Sequence, residues 1–214
     1  MVEVKLVVAN PYSNAKTEKV KVKPDESLKL DGEMKANRAL PVAKVPQGLA
    51  ERLGLKDSVV TLRFNLEGKK IKLHLRALVD ASLEDNVVMV PADLLMEKVG
   101  ELEAEAEAFQ AKAWQLVLDE AKARTFIGLK IGDKVDASII GLKGELVITG
   151  GSDSSGFPMR PDIHGGVKVK VLLSGPPGFK PRKKGERRRK TVRGNTITPD
   201  IVQINVKWIR EQKQ

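Results

Sequence analysis

Cysteine is absent from the 214 residues, and histidine occurs only as His74 and His164. That excludes disulfides, thiolate nucleophiles and the usual zinc sites together, since each needs cysteine or clustered imidazoles. Aromatic residues make up only 4% of the chain. Base stacking on an aromatic platform is therefore not the main mode of any nucleic-acid contact. No apolar run approaches the roughly 20 residues that a membrane span needs. The opening "MVEVKLVVANP" lacks the basic segment and long apolar stretch of a signal peptide. The expectation is a cytoplasmic chain with no cofactor and no metal.

Positive charge is abundant, and it sits in one place. The chain has 38 Lys+Arg and 28 Asp+Glu, a net charge of +10. From Arg160 onward there are 15 basic and four acidic side chains, whereas the first 159 residues hold 23 and 24. A scattered surplus would serve solubility. A concentrated one is the footprint of a polyanionic partner.

Strand signals dominate the chain. "VEVKLVV" and "EKVKVK" flank the turn "NPYSN", which predicts a hairpin of the first two strands. "VPQGLAERLG" from Val45 is echoed by "VPADLLMEKVG" from Val90. In each, the proline suits a first helical turn and the glycine a C-terminal cap. A hairpin follows the first copy, so a small barrel of two half-repeats is suggested. Residues 101–109 alternate acidic and apolar residues, and the period of two favours a strand over a helix. "WQLVLD", "GELVITGG", "VKVKVLL" and "DIVQINVKWIR" read as further strands, and "AKARTFIG" as a short helix closed by Gly128. The class is mainly β, with short helices.

Between Lys168 and Arg193 lie eleven basic residues and one acid, Glu186. Strands bracket this run, so both its ends are pinned. From Pro176 to Thr196 no period is visible, which reads as an extended loop with prolines that lower its ordering entropy. Guanidinium forks match phosphate oxygens, and Asn195 can donate to phosphates or 2′-hydroxyls. The glycine-rich "GGSDSSGFPMRPD" reads either as a turn or as an anion nest beside Arg160. No P-loop pattern is present. Ser152, Asp153 and His164 lack the G-x-S-x-G elbow of a hydrolase.

"KLVVANP", "ITGGSDSSGFPMRPD", "LLSGPPGFKPRKKGERRRKTVRGNTI" and "DIVQINV" together resemble the small-subunit ribosomal protein six family of archaea and eukaryotes, in its longer crenarchaeal form. The resemblance covers 1–22 and 113–214. It implies a small β-barrel-like core with a basic loop at 175–196, interrupted by an inserted β-rich module at 23–112. It further implies a structural, non-catalytic role in the 30S subunit, with 16S rRNA and neighbouring 30S proteins as partners. Carried over residue by residue, the RNA-facing positions are Lys180, Arg182, Lys183, Lys184, Arg187, Arg188, Arg189, Lys190 and Arg193. Arg160, Lys168, Lys170 and Asn195 complete the expected RNA-binding set, and "GFPMR" is expected to pack beneath the loop. The eukaryotic members carry a basic C-terminal helix with phosphorylated serines. No counterpart follows the last strand here, so that regulation is not carried over. Two other readings stay open. One is an RNA-binding module outside the ribosome. The other is an RNA-processing enzyme using carboxylates such as Asp133 or Asp153.

Overall fold

The computed structural model describes residues 3–14, 16–55, 58–66 and 69–210. The chain divides into two compact units, one of Met1–Ala9 with Gln115–Gln214 and one of Asn10–Trp114. In chain order the elements begin with β1 (Val4–Ala9), β2 (Thr17–Asp25), α1 (Gly32–Lys35), β3 (Val42–Pro46), α2 (Gln47–Leu53) and β4 (Val59–Leu66). Next come β5 (Lys69–Asp80), β6 (Val87–Pro91), α3 (Ala92–Lys98), β7 (Ala104–Gln110) and β8 (Ala113–Leu118). The chain continues with α4 (Glu120–Arg124), β9 (Lys134–Asp136), β10 (Glu145–Asp153), β11 (Lys168–Leu173), β12 (Arg188–Arg193) and β13 (Ile201–Ile209). No helix among the described residues is long and apolar enough to cross a membrane.

The first unit is built on a five-stranded sheet of order β8-β1-β13-β10-β9, with β11 and β12 forming a separate two-stranded ribbon. β1 runs parallel to β13, and β10 runs antiparallel to it. The register aligns Leu6 with Ile204, Val8 and Ile148 with Val206, and Leu146 with Trp208. All of these side chains are buried, as are Leu116 and Leu118 of β8. They share one face because side chains two apart on a strand point the same way. Trp208 is seated by its indole Nε1–H, which donates to the Lys143 carbonyl at 2.8 Å.

The second unit is a closed barrel of order β2-β6-β3-β5-β4-β7. Its halves repeat. β3 pairs parallel with β5 and β5 antiparallel with β4. In the same way β6 pairs parallel with β2 and β2 antiparallel with β7. The two V-P segments therefore occupy equivalent places, each ending a strand and leading into a helix. Pro46, in extended backbone, and Pro91 stand just before their helices, not inside the first turn as expected. Gly54 closes α2 in the left-handed conformation at φ 67°, where glycine carries no Cβ penalty. The alternation at 101–109 is explained by the same closure. Ala106 and Ala108 point into the core, where Phe64, Leu62 and Leu75 need the room, and the glutamates point outward.

The expected hairpin of β1 and β2 is corrected here. β1 lies in the sheet beside β13, and β2 completes the barrel beside β6 and β7. The two compact units divide after Ala9 and after Trp114. The closed barrel lies in Asn10–Trp114, while the remainder holds an open sheet. Phe64 is fully buried in the barrel core. Phe64→Ala should cost about 3–5 kcal/mol, seen as faster hydrogen exchange at the amides of β4 and β5.

Candidate nucleic-acid interface

The basic run is half strand and half loop. β12 pairs antiparallel with β11 from Leu173↔Arg188 to Lys168↔Arg193. In sequence all of Pro176–Thr196 reads as a loop, because its charges hide the strand signal. The partner strand supplies the missing order, since Val169, Val171 and Leu173 alternate with Lys168, Lys170 and Leu172. The connecting residues fold back onto this ribbon. A Cβ at Gly178 would stand 3.1 Å from both Leu173 and Val192, at a φ of +101°. Only glycine lets the backbone come so close in that conformation.

A short rung ties the ribbon to the sheet. Asp153 starts a turn in which its Oδ1 accepts from the amides of Ser155 and Phe157. The chain then reverses along β10. Met159 N–H donates to Gly151 O at 2.8 Å, and on the other side Arg193 N–H donates to Pro158 O and Arg160 N–H to Arg193 O. Met159 is buried. Pro158–Arg160 thus lies edge to edge between β10 and the end of β12.

The thirteen expected contact residues separate by environment. Arg193 is 6% exposed. Its guanidinium donates to Thr198 and pairs with Asp200 at 3.2 Å. Asn195 is buried, and its Oδ1 accepts from Gly165 N–H at 3.1 Å. Arg160 holds Asp162 at 2.8 Å and the Pro177 carbonyl at 2.9 Å. These three, expected from the sequence to face RNA, have internal partners in the structure. Thr198 and Asp200 were not among the expected residues, because only the turn after β12 brings them to Arg193. Lys168 is exposed but has protein partners too, 3.7 Å from buried Asp153 and 4.5 Å from the ring centroid of Phe157.

The other nine residues point outward. Lys170, Lys180, Arg182, Lys183, Lys184, Arg187, Arg188, Arg189 and Lys190 are all exposed. Among the described residues, only Arg188 of these has an acidic partner, Glu186 at 2.9 Å. Glu186 also accepts from the Arg182 amide at 2.7 Å. One carboxylate therefore folds the tip of a segment whose own charges repel. The tip turns at Gly185, with φ 80°. Such an array presents uncompensated guanidinium and ammonium groups to solvent, a chemistry matched by phosphate oxygens.

The acids that could have served an enzyme are otherwise engaged. Asp153 makes the turn just described, and Asp133 Oδ2 accepts from Lys130 N–H at 2.7 Å. No group of three His, Asp or Glu among the described residues could hold a metal ion.

A model of the family described as ribosomal protein S6e matches residues 106–214. Over its full length the chain is 50% identical to all of the small ribosomal subunit protein eS6 of Hyperthermus butylicus. The chain belongs to the ribosomal protein S6e family. The eS6 of Staphylothermus marinus is 48% identical over 96% of this chain and 97% of its own. That of Saccharolobus islandicus is 45% identical over 98% of this chain and 100% of its own. Both the sheet unit and the barrel unit therefore have counterparts in these relatives.

Two outcomes follow from the environments. Glu186 is held below the ordinary glutamate range, first by the Arg182 amide and then by the charge of Arg188. With a lowered folded pKa, its ordering of the loop tip is full above the ordinary carboxylate range and is lost as pH falls through the lower value. Carboxyl-resolved NMR should show that titration, with loss of the Arg182 amide bond in step. Arg193→Gln should destabilise the fold by about 2 kcal/mol by removing a charge-assisted bond, whereas Arg187→Gln should leave the melting temperature unchanged. Thermal denaturation of both variants checks this.

Proposed function

We propose that the protein is a structural constituent of the small ribosomal subunit that anchors 16S rRNA through its basic ribbon and loop. The observation that carries this reading is the exposed array from Lys180 to Lys190, seven cations beside Arg188 that meet no described acid. Its root is fixed by the Pro158–Arg160 rung and its tip by Glu186, so little ordering remains to be done on binding. Membership of the ribosomal protein S6e family supports the same role. The contacts are to phosphates and to groove shape, and each cation that meets a phosphate releases counterions. Arg160, Arg193 and Asn195 hold the geometry from below and make no RNA contact. The role is one without catalysis, in the cytoplasm, with neighbouring small-subunit proteins as further partners. The barrel of Asn10–Trp114 is a module set into that architecture.

Sucrose-gradient sedimentation of cell extract tests the assignment. The native chain should track the small-subunit peak through a high-salt wash. A variant with Arg187→Glu, Arg188→Glu and Arg189→Glu should stay at the top of the gradient while melting at the native temperature. A native chain absent from the small-subunit peak would overturn the ribosomal reading.

A further inference from the structure

The barrel unit carries a second cationic surface. Along β5, Lys70, Lys72, His74 and Arg76 alternate with Ile71, Leu73 and Leu75, which belong to the core or pack against it. The four therefore stand on the outer face, about 6.7 Å apart. Lys70, Lys72 and Arg76 are exposed, and His74 is half-buried with its Nδ1 2.9 Å from the Thr61 hydroxyl. Their partners across β4 are Asn65, Arg63, Thr61 and Val59. None of these is an acid. The nearest acid on the next strand, Glu107, is already bonded to Arg63 Nε at 2.8 Å.

The internal repeat supplies a control. β2 takes in one half of the barrel the place that β5 takes in the other. Its outward Lys19 and Lys21 lie opposite Glu107 and Glu105. One copy of the column has acids across from it, and the other has none. Lysines also deter edge-to-edge pairing of strands, and Lys70 and Lys72 lie where β5 has only β4 beside it. Arg76 cannot serve that purpose, because it is flanked by Val59 of β4 and by Val42 of β3.

Resting on the assignment to the small subunit, we infer that this β5 column is a second phosphate-binding face, contacting the same rRNA as the loop. Three exposed cations on one outer face, Lys70, Lys72 and Arg76, with no acid across from them on β4 among the described residues, suit a sugar-phosphate backbone.

The test uses the full chain and 16S rRNA of Hyperthermus butylicus transcribed in vitro, with affinity measured over a range of salt. The triple variant Lys70→Gln, Lys72→Gln, Arg76→Gln should bind at least tenfold more weakly at fixed salt. The slope of log affinity against log salt should fall by about two to three. Its melting temperature should match the native chain, and Lys70→Arg with Lys72→Arg should bind like the native chain. Unchanged affinity and slope, in a preparation where Arg187→Gln with Arg188→Gln and Arg189→Gln weakens binding, overturns the barrel contact and leaves the loop assignment standing. Native RNA binding with new self-association shows lysines that only guard an edge, and also overturns it. Native RNA binding with loss from assembled subunits points to a protein neighbour and overturns the RNA contact as well. If the native chain fails to bind the rRNA, the loop assignment falls first and this inference with it.

Discussion

The backbone of Pro158–Arg160 is hydrogen-bonded along both edges, to Gly151 of β10 and to both backbone groups of Arg193 in β12. That rung joins the basic ribbon to the five-stranded sheet. β11 and β12 have only each other as strand partners, and an isolated two-stranded ribbon is marginal in water. This one is fixed because one end of it is buried: Val192 is fully enclosed, and Arg193, Asn195 and Ile197 follow it into the interior. Gly151 and Gly194 are required by the same packing. A Cβ at Gly151 would lie 2.4 Å from the Gln203 carbonyl, and one at Gly194 would lie 1.9 Å from the Gly165 carbonyl.

The division of labour among the basic residues follows from depth. A guanidinium under the ribbon has protein acceptors within reach and becomes part of the scaffold. One a few residues further out has none, and its charge is left for a partner. Burying a cation without acceptors would be costly, so depth and pairing go together at Arg193, and exposure and uncompensated charge go together at Arg187 and Arg189. The arrangement gives a rigid base and a cationic tip without requiring a large apolar core beneath the tip.

Much of this was legible in the residues. The mainly β class, the strand at 104–110 and the equivalence of the two V-P segments all come from periodicity, which a closed barrel enforces. The hairpin of β1 and β2 was the wrong inference, because adjacency in sequence is a good guide to pairing only when no other edge competes. Here β13 and β7 offered better-matched edges, and both lie far along the chain. In the basic run, charge density could not tell the buried residues from the exposed ones. Arg193 and Arg189 look alike in sequence. What separates them is the approach of Thr198 and Asp200, which exists only once the turn after β12 has formed. The role of Glu186 was hidden for the same reason, since a lone acid in a basic run looks like dilution until its carboxylate is seen to hold the loop. The β5 column was visible as K-x-K-x-H-x-R, but its meaning depends on what lies across the sheet.

The placement of β1 and β2 also bears on how the chain is made. Both strands are synthesised early, and both are completed by strands made much later. β2 waits for β6 and β7. β1 ends at residue 9, gains β8 at 113–118, and meets β13 only from residue 201. At typical synthesis rates the gap between β1 and β13 is on the order of 10–40 s. During that time Leu6 and Val8, fully enclosed in the finished fold, lack the central strand of their sheet, and before residue 113 they lack β8 as well. The barrel unit, whose strands are all complete by residue 110, has its full set of partners long before the sheet unit does. All barrel strands are thus made before β1 has either of its neighbours, and the sheet unit is completed only with the last strand of the chain.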